Sequence, residues 1–486
     1  NYTGNEAVAY SVYNLVNEGA IDASKASNVG GIFGSVKNYN IYGISENQIN
    51  GFYTRQVFKN TAQVSGNINV GGIIGFTDND VSNLNGKLAG STSTTMNSAF
   101  IVNSELNGTR NVMKASASDT SNIGLNILNT GTVIGSGSNV GGYVGRLAKD
   151  ENAGGTTTAR VEYLINNASV GGSATNVGGV IGDYYYPKQS YLMSITFNGS
   201  VVGTSSVGGL IGNLHFDKDG SASNAPKFMK QLTYVVADNI SGSGSKVGGM
   251  FGEVTVTNPS NEIARVFDFN FGLNQNTTLY PDCVGVVDVE SIRGIDNVGG
   301  LMGLADRVTI QSVGIEFERI SGTGNNVGGY VGSMSYGFLN YAYANILKGV
   351  DDAYAPITGG GSKVGGLIGY AHHAEPGGVY MKNIAVSGNS DVGGFIGYAL
   401  GIESGPSVST LDISYKTQLV NVTVNGGKNV GGLLGYSQFV DIVKDSSGYN
   451  DALQIHIDSV VGTENVGGLL GYSENTYISS SPNGIR

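Results

Sequence analysis

Cysteine, tryptophan, proline and charge are all scarce in this 486-residue chain, and each shortage removes a class of protein. There is one cysteine and no tryptophan, with 8 prolines and 4 histidines. A lone cysteine, Cys283, cannot form an intrachain disulfide, so the fold is not a small disulfide-stapled domain. Its setting, Pro281-Asp282-Cys283-Val284, suits a small buried hydrophobe better than a reactive thiol. Charged residues make up 13% of the chain and the net charge is −11, with no run of Lys or Arg. A nucleic-acid binder needs a basic stripe to displace phosphate counterions, and this sequence supplies none. No apolar run approaches the ~18 residues of a membrane span. No signal peptide is visible either, so a mature chain, or one that begins inside a longer precursor, is expected.

Glycine is abundant, at 78 residues, roughly twice ordinary usage. There is no Gly-X-Y period, which excludes collagen. Asn, Ser, Thr, Gly and Tyr fill the polar positions that charged residues leave vacant, as in extended extracellular β proteins. The glycines are ordered by a seven-residue stretch that recurs twelve times, first as Asn28-Val29-Gly30-Gly31-Ile32-Phe33-Gly34. Later copies begin at Asn69, Asn139, Asn176, Ser206, Lys246, Asn297, Asn326, Lys363, Asp391, Asn429 and Asn465. The valine and all three glycines are the same in every copy, and the two positions before the last glycine are always apolar. The first position varies among Asn, Ser, Lys and Asp, as a turn or surface position would.

Gly-Gly allows positive φ and close backbone approach, which suits a bend or a tightly stacked corner. The predicted corner glycines are Gly30, Gly31, Gly71, Gly72, Gly141, Gly142, Gly178, Gly179, Gly208, Gly209, Gly248 and Gly249 in the first six copies. In the last six they are Gly299, Gly300, Gly328, Gly329, Gly365, Gly366, Gly393, Gly394, Gly431, Gly432, Gly467 and Gly468. The adjacent apolar pair reads as a short strand covered on both faces, because side chains alternate across a strand. An apolar-x-Gly triplet precedes eleven of the twelve copies, as in Val64-Ser65-Gly66 and Val460-Val461-Gly462; only Ile21-Asp22-Ala23 departs.

Self-similarity on this scale predicts an all-β repeat fold, a β-solenoid (β-helix-like) of about twelve Val-Gly-Gly-x-x-Gly coils with irregular loop insertions. Helical repeats tolerate neither this much glycine nor so many β-branched residues. A β-propeller is the alternative, although its blades call for regular spacing and Trp-Asp signatures. Copies lie from 28 residues apart (Lys363 to Asp391) to 70 (Asn69 to Asn139), and the widest gap leaves room for a degenerate copy near Asn122-Ile123-Gly124. Residues 1–486 read as one elongated repeat domain. Within it, 1–27 form a partial first coil or cap (with a short helix over Glu6 to Val16 as the alternative), 28–325 irregular coils, 326–471 regular coils, and 472–486 a polar tail.

The stretch Val-Gly-Gly-Leu-Ile-Gly, at 207–212 and 364–369, resembles the GLUG repeat of bacterial surface proteins, and the likeness extends over roughly residues 8 to 475. That resemblance implies a secreted or wall-attached chain at the bacterial cell surface, such as an adhesin-like protein or the non-catalytic region of an immunoglobulin A peptidase. A scaffold hosts many activities, so function has to be argued from its surfaces. The expectation is a non-catalytic structural and adhesive segment of a secreted surface fibre, stalk or filament. A polysaccharide-active β-helix enzyme and a peptidase stalk are the alternatives. Expected partners are further copies of the chain end to end, or the continuation of a longer chain, because neither end shows a cap and open coils leave strand edges unpaired. A carbohydrate or a host or cell-surface ligand is the other expected partner. No cofactor or metal is expected.

Chemistry-bearing residues are few. His372-His373-Ala374-Glu375 lacks the spacing that puts two imidazoles on one helical face, and reads as an exposed loop. Asp217-Lys218-Asp219-Gly220 and Asp78-Asn79-Asp80 lack the distal Glu of a calcium loop, so turn chemistry accounts for both. Asp282 and Asp351-Asp352 could serve a polysaccharide-cleaving carboxylate pair only if a cleft set their separation. Tyr184-Tyr185-Tyr186-Pro187 reads as an exposed aromatic loop. The residue after each motif is Ser35, Phe76, Arg146, Asp183, Asn213, Glu253, Leu304 and Ser333, and then four times tyrosine: Tyr370, Tyr398, Tyr436 and Tyr472. Stacked in register, those four form a ladder with rings about 4.8 Å apart. Such a ladder would offer a strip to sugars or host surfaces, or would stabilise the stack by ring packing alone.

Overall fold

A computed structural model of the chain describes residues 15–36, 58–78, 127–148, 165–185, 195–216, 234–256, 287–344, 354–401, 417–442 and 454–478, with short strand segments between them. All the regular structure in these residues is β, and only Gln48–Ile49 and Phe52–Tyr53 pair antiparallel. Every other pairing is parallel. The motif valines form one column, Val29 opposite Val70, then Val140, Val177, Val207, Val247 and so on to Val430 and Val466. The strands that follow the motifs form a twelve-stranded parallel sheet whose spatial order is the chain order, from Phe33–Val36 to Leu470–Glu474. Successive copies therefore stack along one axis as a solenoid-like array, and do not form separate antiparallel blades around a ring.

Each coil contributes three sides. One is the apolar-x-Gly strand running into the motif strand, as in Val64–Gly71 or Val133–Gly141. The second is the strand after the motif. The third is a short strand seen, for example, where Leu192 faces Phe228 and Phe228 faces Phe269. Differences in coil length fall on the third side, between the strand after the last glycine and the triplet leading to the next motif. The motif side is uninterrupted in all twelve coils.

Direct pairing of Val70 with Val140, and of Ile74 with Val144, places the second and third coils in contact. No further motif coil therefore stands between these two; Asn122-Ile123-Gly124 lies outside the described residues. Leu15–Asn17 is a strand pairing with Phe58–Asn60, so its end of the Glu6-to-Val16 segment is not helical.

The interior is one continuous cluster of Val, Ile, Leu and Phe with Tyr143, Tyr184 and Tyr330 fully buried. Both apolar motif residues point inward, as with Ile73 and Ile74 at 0% exposure. The glycines are required by proximity. A Cβ on the second glycine of coils one to eleven would overlap the carbonyl oxygen of the second glycine in the next coil. A Cβ on the third glycine would overlap the backbone around the first motif position of the preceding coil, as Gly75 would overlap Asn28.

Positive φ falls elsewhere than expected. None of the motif glycines adopts it, whereas the first motif residue does so in all twelve coils, from Asp391 and Asn465 at 52° to Lys246 at 66°. Asn and Asp are the side chains best suited to that left-handed region, because their short polar groups bond locally. The position is also largely covered, with Asn69, Asn139, Ser206 and Asn429 buried, so it is not a free surface position.

Candidate functional site: the outer face of the post-motif sheet

The strand after each motif turns alternate residues outward, and the in-register stack converts sequence columns into surface columns. The post-motif residues line up from Ser35 to Tyr472 through continuous pairings. In the last four coils the column is tyrosine. Tyr370 and Tyr398 have ring centroids 5.7 Å apart at 52°, Tyr398 and Tyr436 4.4 Å at 9°, and Tyr436 and Tyr472 5.2 Å at 19°. The rings of Tyr398, Tyr436 and Tyr472 thus turn their faces to one another along the axis, while Tyr370 is tilted against Tyr398. A sugar that needs an open ring face would find one only at an end of the ladder, whereas a hydroxyl-rich or amide-rich partner meets a row of phenol groups.

The ladder is flanked by polar groups. Lys363, from the first-position column, places Nζ 4.3 Å from the Tyr370 ring centroid and 4.9 Å from that of Tyr398, a cation–π arrangement. On the other flank Gln438 Nε2 donates to Glu474 at 3.3 Å, and the Tyr436 hydroxyl donates to the same carboxylate at 3.4 Å. Burial raises the pKa of Tyr370, Tyr398 and Tyr436, with neighbouring phenol and carboxylate groups adding to it at Tyr436, which is pushed up to about 12. The phenols therefore remain hydrogen-bond donors well into alkaline solution.

The histidine pair is not an exposed loop. His372 ends the strand Ile368–His372 beside the ladder, half-buried, and His373 is buried at a corner with φ of 49°. Tyr336 packs edge-on against His372 at 5.1 Å and tilted against His373 at 5.6 Å, with Arg307 5.0 Å from the Tyr336 ring centroid. Burial, and then the charge of His373, lowers the pKa of His372. This corner extends the aromatic face towards coil seven.

Further along the same sheet the column is charged. Arg146 Nε lies 3.0 Å from Asp183 Oδ2, and Asn213 Nδ2 donates to Asp183 Oδ1 at 2.9 Å and lies 3.2 Å from His215 Nδ1. Tyr185 meets the His215 ring edge-on at 4.8 Å. Burial raises the pKa of Asp183, while His215, Arg146 and the Asn213 hydrogen bond oppose that rise. Beside this group, Glu253 receives Lys246 Nζ at 2.8 Å and the Ser206 hydroxyl at 3.1 Å. Tyr184 is a core residue and Tyr185 belongs to the strand Ile181–Tyr185, so these two are not in an aromatic loop; Tyr186 and Pro187 lie outside the described residues. Asp282, Cys283, Asp351-Asp352 and Asp217–Gly220 also lie outside them. Among the described residues no three His, Cys, Asp or Glu side chains converge as metal ligands would, and no helix is long and apolar enough to cross a membrane.

Two asparagine ladders escaped the reading of the sequence. At the first motif position, an amide donates to the coil before it wherever both coils carry asparagine: Asn69 to Asn28 and Asn139 to Asn69 at 2.8 Å, Asn176 to Asn139 at 2.9 Å, Asn326 to Asn297 at 2.8 Å and Asn465 to Asn429 at 2.8 Å. Inside the first four coils, Asn17 donates to Asn60 at 2.7 Å, Asn60 to Asn129 at 2.7 Å and Asn129 to Asn166 at 2.8 Å. The signal for the second ladder is an Asn four residues before each apolar-x-Gly triplet, which ends where Phe197 takes the place of Asn166 in the column. Comparison of the whole chain with known protein families, curated proteins and solved structures finds no match to any of them.

Proposed function

We propose that this chain is a non-catalytic structural and adhesive segment of a secreted bacterial surface fibre or stalk. The observation that carries the reading is the unbroken register of twelve motifs, which stacks the coils along one axis with the motif side and the post-motif side continuous throughout. Eleven inter-coil steps of about 4.8 Å give a length of roughly 53 Å. The resemblance of the motif to the GLUG repeat supports the bacterial surface location. Contacts with a partner fall to the tyrosine ladder and to the variable third side. A carbohydrate or a cell-surface protein rich in hydroxyl and amide groups suits the phenol row.

The test is retention of the purified chain on glycan-coated and cell-coated surfaces, together with the double variant Tyr398→Ser, Tyr436→Ser. Loss of retention with an unchanged circular dichroism spectrum supports the ladder as the contact. Retention equal to the parent refutes that role.

The group around Asp183 favours a second reading, a polysaccharide-active enzyme, because it brings a buried carboxylate, a guanidinium and an imidazole together. Against it, the carboxylate already holds Arg146 and Asn213. Incubation with acidic and neutral polysaccharides decides between them: chain cleavage that Asp183→Asn abolishes would establish the enzyme.

A further inference from the structure

The outer face of the post-motif sheet dips to a trough at coil eight, where the tyrosine column begins. The two outward residues of the strand Val331–Ser335 are Ser333 and Ser335. In register, Ser333 lies between Leu304 of coil seven and Tyr370 of coil nine, and Ser335 between Asp306 and His372. The serines are therefore the floor, with Tyr370 and His372 as one wall and Leu304 and Asp306 as the other. The walls stand on strands two steps apart, about 9.6 Å. One step is room for one ring, since Tyr398 and Tyr436 stack at 4.4 Å and Tyr436 and Tyr472 at 5.2 Å. All six trough residues are partly exposed, so the trough is open to solvent and one ring wide.

Tyr370 turns a ring face to this trough. Lys363 Nζ lies 4.3 Å from the Tyr370 centroid and 4.9 Å from that of Tyr398, and the two centroids are 5.7 Å apart. Those distances put the ammonium on the Tyr398 side of the Tyr370 ring and leave the opposite face directed to coil eight. The His372 ring is nearly parallel to it, at 19°, and Tyr336 closes one end by packing edge-on against His372. Among the described residues the hydroxyls of Ser333 and Ser335 have no hydrogen-bond partner. The nearby charges are engaged, Asp306 with Arg307 and Lys363 with the two rings. Burial, and then His373, holds His372 below its ordinary pKa. The trough thus combines apolar walls at Tyr370 and Leu304, a floor of two unpaired hydroxyls, and charges that are already compensated.

We propose that the trough at coil eight binds one pyranose ring of an uncharged glycan whose hydroxyls are all equatorial. Such a ring has C–H groups on both faces and hydroxyls around its rim. Its faces meet Tyr370 and Leu304, where apolar surface is buried against a ring of negative face. Its rim meets Ser333 and Ser335, whose hydroxyls each donate one hydrogen bond and accept two. Apolar walls with a few placed polar groups are the usual make-up of a small-molecule site. An aromatic side chain of a protein would fill the same width but leave both serine hydroxyls facing a rim that cannot bond to them. A uronic acid would bring a second carboxylate beside Asp306. The inference rests on the carbohydrate reading above and names its subsite.

The test is calorimetric titration of the 486-residue chain with cellohexaose, a neutral β-linked glucan of this ring type. Ser333→Tyr supplies the missing rung, so it should keep or raise the melting temperature while lowering the affinity for cellohexaose at least about tenfold. Tyr370→Ser should lose a similar factor, whereas Tyr370→Phe should bind as the parent does; this pair decides the matter if Ser333→Tyr does not fold. A parent chain that leaves cellohexaose unbound at millimolar concentration overturns the proposal, as does binding that Tyr370→Ser leaves unchanged. Tighter binding of a phenylalanine-bearing peptide than of cellohexaose overturns it in favour of a protein partner. A chain that adheres to cells without binding cellohexaose leaves the adhesive function standing while the subsite fails. Binding of cellohexaose by a chain that no surface retains supports the subsite and removes the adhesion.

Discussion

Replacing Gly366 in coil nine with valine tests the central packing argument. The new Cβ would overlap the Gly394 carbonyl oxygen of coil ten and lie 2.7 Å from Met381 Cε and 3.1 Å from the Gly394 carbonyl carbon. Met381 can swing aside, but the carbonyl cannot. It belongs to a segment held by Gly366 N to Gly393 O at 3.1 Å, Leu367 N to Phe395 O at 2.8 Å and Ile368 N to Phe395 O at 3.2 Å. Displacing coil ten enough to fit a methyl weakens two or three of these bonds, each worth about 1 kcal/mol net. Overpacking adds roughly 1 kcal/mol more, so Gly366→Val should cost about 2–4 kcal/mol in all. Because each coil rests on its neighbours, the loss should be centred on coils nine and ten. Chemical denaturation followed by circular dichroism measures the total, and hydrogen exchange read by mass spectrometry locates it. The control is Gly468→Val, the same chemistry where no neighbour is met. Equal denaturation midpoints for Gly366→Val and the parent would refute the reasoning, as would equal damage from the two variants.

Asn129→Ala should destabilise the chain by at least ~2 kcal/mol, since it strands buried partners on both sides; its amide accepts from Asn60 and donates to Asn166 and to the Gly131 carbonyl. Urea unfolding midpoints give the value, and a change under ~0.5 kcal/mol would contradict a buried ladder. At Asn429, where φ is 53°, valine should be worse than glycine by about 1–2 kcal/mol, because a β-branched side chain is strained in that region; comparing the two melts decides it. The tyrosine ladder predicts an alkaline transition. The folded pKa values lie above the ordinary 10.0, with Tyr436 at about 12, so this contribution to stability is complete below pH 10. It falls as pH rises from 10 towards 12, as the unfolded chain releases phenolic protons first. Melts taken at intervals over that range should decline more steeply for the parent than for a Tyr398→Phe, Tyr436→Phe variant; parallel declines would remove the ladder as the cause.

The stack was legible because its rules are local and repeated. Val-Gly-Gly with an apolar pair fixes a corner and a buried strand wherever it occurs, and equal spacing of Tyr370, Tyr398, Tyr436 and Tyr472 from their motifs is enough to align them. What was misread depended on backbone conformation or on contacts between coils. Asn28 and its equivalents looked like variable turn residues, yet their tolerance of Ser, Lys and Asp reflects a left-handed backbone site that several polar side chains can occupy. The Asn60–Asn129–Asn166 ladder was missed because its members are 69 and 37 residues apart and only stacking makes them neighbours. Arg146, Asp183 and His215 come together for the same reason. His373 looked like loop because a histidine before Ala-Glu-Pro-Gly carries no sign of the corner that buries it.

The confinement of length variation to the third side has a consequence for how such a chain can change. Closing a coil of 70 residues in place of one of 28 raises the loop-closure cost by only about 0.8 kcal/mol, from its logarithmic dependence on length. That is less than one interior hydrogen bond, and the stacked sides do not register it. New sequence can therefore enter along this seam, coil after coil, while the scaffold beneath keeps its shape. The molecule behaves as a rack with a dozen independent shelves, on which binding segments can be exchanged one at a time without refolding the rest.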